Sequence, residues 1–362
     1  MTEEPSSDFH RFVRYYNEEY PVTDCIQMFF EGCLIRVDLN SRELGSYLRK
    51  YYQNFLTTES NVPSQVIVTV LETPPFEQFE NWQRKPPEPG KKRVKEEYQD
   101  FPEGRIIRKR NTGLVFFVSP RTNLVVGTCR EHPNQVVNFI NNRYIQWMLW
   151  RGHLLFHASG VSRKGRGLAL CGFAGRGKST LALHLVGEGL DFVSNDRLLV
   201  RQQDDESIWM HGIPKLPRVN PGTIVHNPYL SSMFSREKYE YFRKKPSECL
   251  WTLEEKYDVD IGRVFGKGRF SLSARFAGMG ILNWQQRGGN IRIERIDITE
   301  QKEVFRTFMK SPGLFFEAEP GKPYPDLSPS RYMDILKDVP VFEVTGGVDF
   351  AKATAFFSHF LE

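Results

Sequence analysis

The sequence predicts an α/β protein with an N-terminal α+β domain over residues 1–150 and a P-loop α/β domain over residues 151–362. Three observations predict it. The first half alternates valine-rich, strand-length segments with turn residues and closes on a long amphipathic stretch. The second half opens with an apolar strand that runs straight into the glycine-rich loop GFAGRGKST and a helix-forming run. A hydrophobic fraction of 40%, with 28 Phe in 362 residues, is ample for two packed cores.

In the first half, residues 25–39 read as two short strands around a turn at Glu31-Gly32. Residues 41–54 read as a helix capped by Ser41, with Leu44, Leu48 and Tyr51 on one face. Gln65–Leu71 alternates as a strand does. From Pro74 to Gly90, with Pro86, Pro87 and Pro89 ahead of Lys91-Lys92-Arg93, the composition is that of a mobile loop. Ile106–Arg110, Leu114–Ser119 and Leu124–Cys129 are expected as three antiparallel strands. The turns between them fall at Asn111-Thr112-Gly113 and Pro120–Asn123, and a helix follows from Asn134 to Arg151. Nothing in this half points to a particular chemistry.

In the second half, Leu168–Cys171 is a strand, Ser179–Glu188 a helix and Leu190–Val193 a second strand ending at Asn195-Asp196. Such a unit is expected to set its two strands parallel and side by side. Arg197–Gln202 and Ile208–Gly212 read as a hairpin around Asp204-Asp205-Glu206. Phe270–Phe276, Ile281–Trp284 and Ile291–Asp297 extend the sheet, and helices are expected at Glu300–Met309 and Asp349–Leu361.

Composition excludes several classes of function. The net charge of +5 is mild for this length, and its cations are interleaved with acids, so no nucleic-acid surface is expected. The cysteines at 25, 33, 129, 171 and 249 are an odd set with no CxxC pair; buried free thiols are expected, with no disulfide framework and no zinc site. The start, MTEEPSSDF, has neither a basic nor an apolar signal region, and apolar runs such as Gly113–Val118 are far too short to span a bilayer. A cytoplasmic chain without a membrane segment is expected.

The loop carries the chemistry. Gly172-x4-Gly177-Lys178-Ser179 fits the phosphate-binding pattern known as Walker A in full. Gly172, Gly175 and Gly177, with Phe173, Ala174 and Arg176 between them, let the backbone curl so that successive N–H groups face phosphate oxygens. The helix that follows adds the positive end of its dipole. Lys178 supplies a point charge for β- and γ-phosphates, the Ser179 hydroxyl is a ligand for Mg²⁺, and Thr180 completes the nucleotide-binding segment. The chain is therefore expected to bind a nucleoside triphosphate, ATP, as its Mg²⁺ complex.

Two residues flank the loop at telling distances. Asp196 comes 18 residues after Lys178, directly after one helix and one strand. There its carboxylate can orient and deprotonate an attacking hydroxyl and share the metal; it can equally cap the strand end or pair with Arg197. His157 lies 21 residues before Lys178, at the end of Leu154-Leu155-Phe156, a place that suits a core histidine as well as a functional one.

With these residues on the page, His157–Leu199 resembles the catalytic core of the HPr kinase/phosphorylase superfamily, P-loop proteins whose fold is akin to phosphoenolpyruvate carboxykinase. The spacing of histidine, lysine and acid agrees at all three points. The resemblance implies a catalytic role for His157, Lys178 and Asp196, with Asp196 as general base toward a serine hydroxyl, and it makes a homo-oligomer plausible because relatives assemble as hexamers. The chain departs from that pattern in having Asn195-Asp196 for a paired acid, Thr180 for a glutamate, and no acid in His211–Thr223, where a metal-binding glutamate is expected. The nearest branch is that of the divergent HPr kinase-related kinases of the kinase B type.

Lys215 and Arg218, in the same acid-free segment, are candidate phosphate or substrate contacts or else solvated surface charges. Arg243, Arg263 and Arg269 are equal candidates for a catalytic arginine. Two functions stand open: an ATP- and Mg²⁺-dependent kinase acting on a protein or small-molecule hydroxyl, with serine the implied acceptor, or an ATP-binding assembly module with little or no transfer.

Overall fold

The strands and helices follow local rules, and their sheets bring the candidate residues together. The computed structural model describes residues 8–58, 63–76, 82–87, 93–286 and 288–362. These fall into two units, one made of the chain up to Arg151 together with Pro312–Pro325, the other of Gly152–Ser311 and Asp326–Glu362. The excursion of Pro312–Pro325 into the first unit is a feature that sequence order does not reveal.

The first unit holds α1 (Asp8–Glu19), β1 (Asp24–Phe30), β2 (Cys33–Leu39), α2 (Arg42–Tyr51), β3 (Val66–Glu72), β4 (Gln83–Arg84), β5 (Glu96–Phe101), β6 (Gly104–Lys109), β7 (Val115–Val118), β8 (Asn123–Gly127) and α3 (Pro133–Leu149). Its sheet runs β1-β2-β3-β8-β7-β6-β5-β4, with β3 parallel to both β2 and β8 and the other pairs antiparallel. Glu31 and Gly32 both have positive φ (45° and 82°), the geometry of a tight hairpin turn joining β1 to β2. The Ser41 hydroxyl caps α2 by accepting the Leu44 N–H at 3.3 Å, as the sequence predicts. The proline-rich loop expected to be mobile lies partly outside the described residues, as does the chain start; β4 forms in the described part of that loop. The helix α1 and the strand β5, which pairs with the expected strand β6, carried no sequence signal strong enough to be expected.

The second unit holds β9 (Leu154–Phe156), β10 (Ala158–Arg163), β11 (Arg166–Cys171), α4 (Lys178–Gly187), β12 (Asp191–Ser194), β13 (Leu198–Gln202), β14 (Ile208–His211), β15 (Arg218–Val219), α5 (Pro221–His226), α6 (Arg236–Arg243), α7 (Ser247–Thr252), β16 (Tyr257–Asp258), α8 (Ile261–Phe265), β17 (Ser273–Leu282), β18 (Arg292–Ile296), α9 (Pro329–Leu336), β19 (Val341–Thr345) and α10 (Phe350–Phe360). The main sheet runs β12-β10-β11-β17-β14-β13-β9. It forks along β17: β14 pairs with the early residues of that strand, while β19, joined to β18, pairs with the late ones.

Four expectations need correction. β11 and β12 are not neighbours, because β10 enters between them and pairs antiparallel with both. The two strands therefore still point the same way, with one strand separating them. Phe270–Phe276 and Ile281–Trp284 are served by one long strand, β17, and the expected helix at Glu300–Met309 is a 3-10 turn, Lys302–Thr307. Of the five free cysteines, Cys33, Cys129 and Cys171 are buried as expected, whereas Cys25 and Cys249 are exposed.

Two apolar layers cover the sheet of the second unit. One packs Leu181, Leu185 and Val186 of α4 with Leu170, Phe192 and Phe357; the other packs Phe156, Val193, Phe276 and Met279 with Phe308 and Tyr332. Burying large side chains of this kind contributes roughly 1.5–3 kcal/mol each. Among the described residues no helix is long and apolar enough to cross a membrane.

Candidate functional site

Register brings the three sequence motifs to one end of the sheet. Ala158, the residue after His157, pairs with Cys171, the residue before the glycine loop. Gly160, two positions along β10, pairs with Ser194, which leads into Asn195-Asp196. Because β11 and β12 run the same way, the loop after each lies at that end, and the start of β10 places His157 between them. The C-terminal edge of parallel strands is where α/β sheets generally receive ligands.

The loop has the backbone a phosphate cradle needs. Gly172 has φ 143°, and a Cβ there would meet the Leu282 carbonyl oxygen at 2.8 Å. Gly177, at φ 83°, is the N-cap of α4 and offers no side chain to its first turn, so the N–H groups there face outward without a side-chain acceptor. Lys178 is 8% exposed, and its Nζ donates to the carbonyls of Gly172 at 2.7 Å and Phe173 at 3.2 Å. Burial pulls its pKa below the ordinary lysine value, with the charge of Lys310 acting in the same sense and Asp196 opposing it. Phe173 is exposed at the loop tip, and Ala174 and Gly175 beside it are exposed too. Ser179 sits half-buried at the first turn, and the Thr180 hydroxyl bonds that of Thr223 at 3.0 Å, tying α4 to α5.

Asp196 is held from two sides. His157 Nε2 lies 3.3 Å from its Oδ1, and Arg197 Nε lies 3.7 Å from its Oδ2. The peptide that carries it is anchored as well: the Ser159 hydroxyl donates to the Asn195 carbonyl, and the Ser194 hydroxyl donates to the Arg197 carbonyl at 2.6 Å while accepting the Ile213 N–H at 3.1 Å. The carboxylate keeps solvent contact, with 58% of the side chain exposed. Crowding by the surrounding chain raises its pKa. The hydrogen bond from His157 and the charges of Arg197 and Lys215 outweigh that and hold the carboxyl well below the usual range. Asp196 thus pairs with Arg197, one of the two readings of the sequence, and lies at the same end of the sheet as the glycine loop.

The flanking cations divide. Lys215 is half-buried, its pKa lowered by burial, and the Asp196 carboxylate opposes that shift more strongly than Asp258 does. Arg218 instead pairs with Asp258 at 3.1 Å across the two-stranded ribbon β15–β16, an acid the sequence reading did not connect with this segment. Arg269 does not reach the loop. It bonds the carbonyls of Val186 and Leu190 and pairs with Asp191, pinning the start of β12, the end away from Asp196. Arg243 pairs with Glu240 along α6, and Arg263 is exposed on α8. The arginines that the structure does bring here are Arg197 and Arg176. Lys310 is a further cation to which no motif or spacing pointed. Its N–H donates to Leu155 of β9 at 3.2 Å, next to Phe308, whose carbonyl accepts the His157 N–H at 2.6 Å.

The donor set fits a polyphosphate: curled glycines, an uncapped helix start and cations from three segments. Among the described residues no cluster of three or more His, Cys, Asp and Glu forms a metal cage. A Mg²⁺ that arrives on phosphates needs only one or two protein oxygens, and Ser179 and Asp196 are the residues that would hold it. The side-chain oxygen of Asn195, the neighbour of Asp196 in the chain, is buried without a hydrogen-bond partner.

No protein-family model matches the sequence, and no curated protein matches it either. Among solved structures, the Hpr(Ser) kinase/phosphatase from Coxiella burnetii is similar over 57% of this chain and 93% of its own, at 12% identity and a TM-score of 0.26. At that TM-score the likeness establishes no relationship of fold.

Proposed function

We propose that this protein is an ATP- and Mg²⁺-dependent kinase that transfers the γ-phosphoryl group to a hydroxyl, with a protein serine as the acceptor. One observation carries the reading: the Walker A loop and an ionised carboxylate, Asp196, meet at one end of one sheet, with His157 bonded to that carboxylate. A protein that only holds nucleotide needs the loop but has no use for a base beside it. Serine as acceptor rests on the resemblance of His157–Leu199 to the HPr kinase/phosphorylase core.

In this reading Lys178 exchanges its loop carbonyls for phosphate oxygens, and the N–H groups of α4 hold the same phosphates. Ser179 and Asp196 would hold the Mg²⁺, which when bound would neutralise charge on the phosphates. Asp196 accepts a hydrogen bond from the acceptor hydroxyl and takes its proton as the oxygen bonds to phosphorus and the bond from phosphorus to the β-γ bridging oxygen breaks. His157 keeps the carboxylate oriented, and Lys215 adds positive charge where the transferred group passes.

A second reading, ATP-dependent assembly without transfer, draws on Asn195 in place of a second acid and on the acid-free stretch 211–223. The experiment is labelling with γ-labelled ATP and Mg²⁺ in a lysate of the source cell, followed by phosphosite mapping. A labelled serine that disappears with Lys178→Ala supports the kinase. Tight ATP binding with no labelled product favours assembly.

A further inference from the structure

We infer that Trp284 is a positioning residue of the phosphate site, locking the glycine loop into its curled shape through a reciprocal pair of hydrogen bonds with Arg176. This rests on the reading of Gly172–Ser179 as the phosphate cradle. The Trp284 indole Nε1–H donates to the Arg176 carbonyl at 2.8 Å, and the Arg176 guanidinium donates back to the Trp284 carbonyl. The ring is 1% exposed, so its single polar atom has been buried to make that one bond.

The surrounding packing acts in the same sense. Phe350, at the start of α10, stands edge-on to Trp284 with centroids 5.1 Å apart and stacks on His184 of α4 at 5.4 Å. It fills the space beside Gly177, where a Cβ would come within 2.9 Å of its ring. On the other side Gly172 is pressed against Leu282, two residues before the tryptophan. The backbone that holds Trp284 is fixed in turn, since Asn283 N–H donates to Val344 and Gln285 N–H to Gly346, both at 2.8 Å. The loop is thus gripped at its first glycine, its arginine and its last glycine by chain more than a hundred residues away.

This assignment has a chemical consequence for Arg176. An arginine inside a phosphate loop invites the role of a phosphate ligand, yet its guanidinium is committed to Trp284. Arg176 supports binding through the loop backbone, and its contribution and that of Trp284 are one device.

The test compares wild type, Trp284→Phe, Arg176→Gln and the double variant in the full chain. Trp284→Phe keeps the ring and removes the N–H. Hydrogen exchange of the amides at 172–179 reads loop order without nucleotide, and calorimetry with Mg²⁺-ATP reads affinity. The expected result is faster loop exchange in both single variants and a roughly fivefold to tenfold weaker Kd, the worth of one hydrogen bond. The double variant is expected to be no worse than the poorer single. Should Trp284→Phe not fold, Arg176→Gln alone carries the exchange comparison, because its half-buried side chain is polar in both forms. Unchanged loop exchange in the variants overturns the clamp. So does an additive double variant, which would make Arg176 a direct phosphate ligand. Wild type that fails to bind ATP sinks the kinase reading instead, and the exchange comparison still decides the clamp.

Discussion

His157 Nε2 approaches Asp196 Oδ1 at 3.3 Å, while Arg197 takes the opposite oxygen at 3.7 Å. A carboxylate gripped by one partner can rotate; gripped by both it presents a fixed pair of lone pairs to whatever sits in front of it. Its depressed pKa is the electrostatic trace of that grip. In the kinase reading proposed above, the histidine orients this carboxylate. His157→Ala is accordingly expected to lower kcat about 10–100-fold while leaving the Kd for ATP within about twofold. His157→Gln, which can still donate to Oδ1, is expected to recover part of the loss. Steady-state kinetics beside calorimetry checks both.

The same shift sets a pH dependence of stability. The folded pKa of Asp196 lies below its unfolded value, so its stabilising effect is full above the unfolded carboxylate range and is lost as pH falls through the folded value. Thermal melting of wild type and Asp196→Asn is expected to differ at neutral pH, with wild type the more stable, and to converge in acid. A gap that persists at the lowest accessible pH contradicts the ionised pairing.

Lys215 works in the opposite sense. Burial lowers its pKa, so the unfolded chain binds the proton more tightly and this residue costs stability at neutral pH, a cost that shrinks as pH rises toward the ordinary lysine value. Lys215→Met is expected to melt no lower than wild type at pH 7 while losing about 10²-fold or more in kcat/KM, the pattern of a residue kept for function. Lys215→Arg is expected to restore part of the rate. A mutant that simply unfolds marks the lysine as structural.

In the first unit, Arg143 is a prediction about stability alone. It is 2% exposed, bonds the Phe315 carbonyl and lies within reach of Asn123 and Gln146 at 3.3 and 3.2 Å, while the Glu317 N–H donates to Gln146 at 2.8 Å. Arg143→Met leaves that carbonyl without its donor. The expected loss is about 1–3 kcal/mol, with faster hydrogen exchange confined at first to residues 312–325.

The local elements were legible wherever a single segment carries its own signal. The Glu31-Gly32 hairpin, the Ser41 cap and the loop from Gly172 to Ser179 each follow from a few adjacent residues, and the structure forms them where the sequence places them. What was not legible depends on partners far along the chain. The strand β10 between β11 and β12 is masked by SGVSRKGRG, whose small and charged residues carry no strand period, and only pairing with Cys171 and Ser194 makes it one. The Arg218–Asp258 pair, the place of Lys310 beside β9 and the Trp284–Arg176 bonds join segments 40 to 155 residues apart, and no spacing rule reaches that far. The placement of His157 beside Asp196 was suggested by a motif and a resemblance; its geometry came from the register of β10.

The most direct test of the kinase reading is Asp196→Asn, assayed for transfer from γ-labelled ATP and for Mg²⁺-ATP affinity in the same preparation. Asparagine keeps the shape and the contact with His157 but cannot accept a proton. The kinase reading predicts a loss of about 10²–10⁴ in kcat while Mg²⁺-ATP still binds. Transfer at the wild-type rate by Asp196→Asn would contradict it and leave the loop as a nucleotide site without this base.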